Sequence, residues 1–209
     1  MAGGDDVSGT FAWALVALGL AVVVVRRRSV AVGLVTAQAL LLAGVATAEA
    51  EGADDVAAAT ALAVRGIALA ALFLVIVART REPRPVRAGV APFARAGLAI
   101  LVALAFMWLV PTVGLASEQA ERAMLALVAF GAAVVATRRA TLHQLLGIVM
   151  VENGLVVGAI ELPGGASLAI ELGVALDLVL ISVVAVVFHE RIFAEFGSGD
   201  TAVLESLRD

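Results

Sequence analysis

Three acids occupy positions where acids are costly. Glu152 lies in the run VMVENGLVVGA, and Glu171 and Asp177 lie in LAIELGVALDLVLISVVAVVF, within two apolar stretches each long enough to cross a bilayer. Arg65 is embedded in the same way in an Ala/Val/Leu-rich block. A charged side chain at the centre of a membrane helix costs roughly 2.5–3.5 kcal/mol, so these four cost on the order of 10 kcal/mol unless paired, protonated or facing water. Movement of protons or cations is the chemistry that such residues suit.

Their depth follows from the spacing. Glu152 is 13 residues past Arg139 and 11 before Pro163, and Asp177 is 14 from both Pro163 and Arg191, so each falls near mid-membrane. Glu171 precedes Asp177 by about 9 Å along a helix axis and roughly 120° around it, so the two serve different neighbours. Glu152 and one of these two are expected to face each other. His143 is nine residues before Glu152, about 13 Å by helix rise, and reaches it only through water. Gln38 and Asn153 are the uncharged polar candidates for bonds between helices. A purely structural reading stands beside each of these: acids that fix packing, an arginine that snorkels to water, an interfacial histidine.

Composition sets the class. The 209 residues are 62% hydrophobic with a mean hydropathy of +1.07, in apolar blocks separated by short charged or Pro/Gly-bearing links. This is an all-α integral membrane protein by expectation. Cysteine and tyrosine are absent and all fourteen basic residues are arginine, which excludes disulfides and thiolate metal sites. No Walker loop, dinucleotide fingerprint, HExxH or nucleophile elbow occurs. Catalysis by this chain and a nucleic-acid partner are not expected.

Seven spans are predicted, near 8–25, 30–48, 56–78, 90–115, 120–137, 142–161 and 167–189, the fifth being the shortest. The first begins behind Asp5 and Asp6 without a basic leader and reads as retained. Arginines follow spans 1, 3, 5 and 7, at 26–28, 79–87, 138–139 and 191, whereas the other links carry acids, with Arg122 the exception. The positive-inside rule then places the N-terminus outside and the C-terminus in the cytoplasm, in a plasma membrane.

An internal repeat is also legible. A shift of 114 residues sets Gly33 over Gly147 and Gln38 over Glu152, and a shift of 112 sets Ala59 over Glu171, Arg65 over Asp177 and Arg79 over Arg191. The expected organisation is a three-helix unit with its link at 1–89, a connecting helix at 90–119, a second parallel unit at 120–191 and a tail at 192–209. Asp177 is on this reading the natural partner of Arg65. Gly147, Gly154 and Gly158 mark the sixth span as either kinked or closely packed.

At VMVENG (149–154), IELGVALD (170–177), TAQALLL (36–42) and the tail pattern of Gly199-Asp200 followed by Leu204 and Leu207, the chain resembles component E of hydrogenase 4 and its relatives in respiratory membrane hydrogenases. The likeness runs over essentially the whole chain. Its second unit also resembles the K-type subunit of complex I and the C-type subunit of multisubunit cation/proton antiporters. The resemblance implies a prokaryotic, proton-pumping redox complex in which Glu152 and Glu171 match the paired membrane glutamates of the K-type subunit. It implies antiporter-like and anchor subunits as partners, with iron–sulfur clusters, nickel–iron or flavin held by partner subunits and no cofactor in this chain. Where the family tends to have lysine this chain has Arg65, which suits a fixed charge better than a proton carrier. A structural bridge and a stand-alone small transporter are the alternatives.

Overall fold

Every apolar block that the structure describes folds as a helix. The computed structural model describes residues 4–50, 52–80, 91–112, 114–115 and 117–161, with 182, 183, 186, 187 and 191. Six helices follow in order: α1 (Gly4–Val24), α2 (Arg28–Ala48), α3 (Ala53–Thr80), α4 (Pro92–Leu109), α5 (Glu118–Thr137) and α6 (Thr141–Ile160). Five of them, α2 to α6, are long and apolar enough to cross a membrane, and the apolar part of α1 runs from Thr10 to Val24. Among the described residues every element is a helix, and the chain is a multi-pass membrane protein. Most of the expected seventh span at 167–189, and the tail, lie outside the described residues.

The helix ends have local causes. Pro111 keeps Val110 out of the α-region, at φ −83° and ψ 123°, so α4 stops at Leu109 rather than continuing to 115 as expected. Gly114 then turns the chain at φ +78°, a conformation open to glycine. Ser117 caps α5 by accepting a hydrogen bond from the Ala120 N–H at 3.3 Å. Inside the helices, Thr36, Thr47, Thr60 and Thr137 each donate to the carbonyl four residues back, which satisfies the hydroxyl within its own helix.

α6 is the most buried of the five spans and α4 the least. α5 packs on α6, α4 and α1; α2 packs on α1, α3 and α6. The α5–α6 contact is the closest, because glycines remove the side chains between the backbones. A Cβ at Gly147 would lie 2.8 Å from the Gly131 carbonyl oxygen, and one at Gly154 would lie 3.0 Å from that of Met124. The glycines of α6 are thus a packing seam, and α6 runs unbroken from 141 to 160.

Candidate functional site

Two apolar cores are stacked along the bundle with a polar layer between them. One core holds Val22, Val35, Leu69, Phe73, Leu146 and Met150; the other holds Leu15, Leu42, Leu62, Leu127, Val156 and Val157. Between the two levels, helix by helix, stand Gly19, Gln38, Arg65 and the Glu152-Asn153 pair, and all four polar side chains are buried. The positions follow helical spacing: on α3 the buried residues Leu62, Arg65, Leu69, Phe73 and Ile76 recur every three to four positions and form one face.

Arg65 Nη1 forms an ion pair with Glu152 Oε1. The two residues are 87 apart in sequence and on helices that both pack on α2. Close approach of α2 and α3 makes the reach feasible, since a Cβ on Gly66 would lie 2.8 Å from that of Ala39. Gln38 donates from Nε2 to the Leu15 carbonyl at 3.0 Å, tying α2 to α1. Gly19 leaves room for that amide, its hypothetical Cβ lying 3.2 Å from Nε2. Arg65 Nε and Nη2, Glu152 Oε2 and both amide atoms of Asn153 are buried without a hydrogen-bond partner among the described residues. A cavity of about 10 Å³ adjoins Arg65 and Asn153, lined also by Thr36 and apolar residues including Phe73. That is room for about one water centre beside several polar partners.

Arg65 was expected to meet Asp177; among the described residues it pairs with Glu152, and Glu171 and Asp177, on which the expectation rests, lie outside them. His143 is fully buried, yet it lies away from the layer at the start of α6, with neither ring nitrogen partnered among the described residues. Arg138, Arg28 and Arg95 are the charges that bear on it. No group of three or more His, Cys, Asp or Glu suited to a metal ion occurs among the described residues.

The two ends of the bundle carry opposite charge. At one, Arg138 is 6% exposed and donates from Nη2 to the Val23 carbonyl at 3.1 Å and to that of Val25, capping the last turn of α1. Burial, and then the like charges of Arg95 and Arg26, push its pKa down to about 10. Arg95, on the inner face of α4 with Ala99 and Ala103, was missed by sequence reasoning, and its only signal there is that four-residue spacing to two small residues. At the other end, Glu49 and Glu161 line a cavity of about 190 Å³ with Leu15, Leu42, Val157 and Ile160. Burial, and then the like charge of Glu49, raise the Glu161 carboxyl above its usual range, with a hydrogen bond from the Ser117 backbone opposing the shift.

The fold and this layer define a polytopic helical membrane protein with a buried ion pair at its centre. No protein-family model, curated protein or solved structure matches the chain.

Proposed function

We propose that this chain is a non-catalytic membrane-arm subunit of a hydrogenase-4-like, complex-I-related redox complex, and that Glu152 carries protons on a path through it. The observation that carries the reading is the buried Arg65–Glu152 pair between two apolar cores. Arginine keeps its proton, so Arg65 is the fixed charge and Glu152 the group that changes state. An ionised Glu152 is matched by Arg65; a protonated one leaves that guanidinium uncompensated, which couples proton uptake to rearrangement of the layer. Glu171, Asp177 and His143 are further stations on the proposed path.

The same reading takes the bundle to seven spans in a prokaryotic plasma membrane, N-terminus outside and C-terminus cytoplasmic, on the arginine distribution. Two parallel three-helix units joined by α4 belong to it, and the packing of α1 on α5 and of α2 on α6 is in keeping with them. Antiporter-like and anchor subunits are the proposed partners, and the redox groups belong to others.

Glu152→Gln keeps shape and hydrogen bonding while removing the titrating group. In vesicles holding the whole complex, electron transfer is expected to persist in part while protons moved per electron fall. Glu118→Gln, in an exposed i,i+4 pair with Arg122, is the control. Normal pumping by Glu152→Gln would give the lead to the second reading, a structural bridge. That reading has its own support, because the ion pair ties α3, which packs chiefly on α2, to α6.

A further inference from the structure

The basic end contains a group that neither the fold nor the proposed proton path uses. Arg95 is 1% exposed, and its Nε, Nη1 and Nη2 have no hydrogen-bond partner among the described residues. Arg138, at the end of the helix on which α4 packs, spends Nη2 on the end of α1, while its Nε is buried and has no partner among the described residues. Arg26, exposed in the link between α1 and α2, adds a third guanidinium close enough to oppose the charge on both. Like charges gathered where two of the three side chains are buried are costly to hold. An anion among them reverses the sign of that cost.

We propose that Arg95, Arg138 and Arg26 form a binding site for a phosphate-bearing anion at the basic end of the bundle. The guanidinium fork matches phosphate oxygens with paired N–H donors, and basic pockets between membrane helices at the headgroup level are suited to anionic lipids. Arg95 stands in the first turn of the least buried span, which sets its inward-facing guanidinium at one end of the bundle rather than at mid-helix. Arg26 marks the mouth. The site is independent of the Arg65–Glu152 layer and stands or falls without it.

The test uses the full chain purified in a neutral detergent, with melting followed as phosphatidylglycerol, phosphatidylcholine or inorganic phosphate is added. Phosphatidylglycerol is expected to raise the midpoint by several degrees over phosphatidylcholine. Arg95→Gln should abolish that difference, and Arg26→Gln, an exposed change that leaves the fold intact, should raise the half-saturating lipid concentration about tenfold. Arg122→Gln, at the opposite end, should change neither. A rise with inorganic phosphate alone supports the same site and makes a free anion its ligand; a rise with phosphatidylglycerol only assigns the lipid. Equal midpoints with all three additions, or an undiminished lipid difference in both Arg95→Gln and Arg26→Gln, would overturn the proposal and give the cluster to an acidic surface of a partner subunit.

Discussion

At Glu152 and Arg65 the cost of burial and the capacity for chemistry are the same physical fact. Removing one member of a buried pair leaves the other uncompensated, at about 3–5 kcal/mol, whereas replacing both with apolar residues is close to neutral. Arg65→Leu with Glu152→Leu is therefore expected to accumulate in membranes better than either single change, and additive losses in the three variants would mean that the pair contributes no coupling. Glu161 offers a pH test outside the spans. Its carboxyl is raised in the folded protein, so the folded state binds the proton more tightly than the unfolded one. Stability then falls as pH rises from the ordinary carboxylate range through the raised value. Glu161→Gln should flatten that decline and raise the neutral-pH melting midpoint; an unchanged pH profile would show that the carboxyl is not perturbed.

At the scale of helices, the α5–α6 seam fixes where Glu152 stands. Gly131→Ala would set a Cβ 2.5 Å from the Gly147 carbonyl oxygen, an approach that backbone must relieve by moving. Overpacking of this kind costs about 1–3 kcal/mol, so a lowered melting midpoint is expected together with weaker coupling between Arg65 and Glu152. Gly33, the repeat mate of Gly147, has nothing within 4 Å of an added Cβ. Gly33→Ala should therefore be neutral or stabilising by up to about 1 kcal/mol through helix propensity. Equal losses from the two alanines would contradict the seam. If the chain is a duplication, its proposed halves thus differ in packing as well as in charge: the shift of 114 residues sets the buried amide of α2 over the ionisable group of α6.

At the scale of the molecule, the chain alternates between a basic and an acidic end, and the polar layer lies between them. If the basic end is cytoplasmic, a reporter active only outside the cytoplasm should be silent when fused after Asp209 and active when inserted at Gly114. The reverse pattern would invert the direction of the proposed path through Glu152.

The helices were legible in the sequence because length and hydropathy are local properties. Expected starts and ends from span 1 to span 6 lie within a few residues of the helices except at α4, where Pro111 overrides an apolar run. Glu152 and Arg65 were legible as sites for the same reason, since a charge in an apolar helix stands out wherever its partner is. The pairing was not legible. Lipid is as apolar as a protein core, so the outward face of a membrane helix resembles its inward face and periodicity says little about which side packs. Only the tertiary structure decided that Arg65 meets Glu152 across 87 residues, that the glycines of α6 close a seam rather than open a kink, and that Arg95 points inward, because each depends on helix crossings set by small residues far apart in the chain.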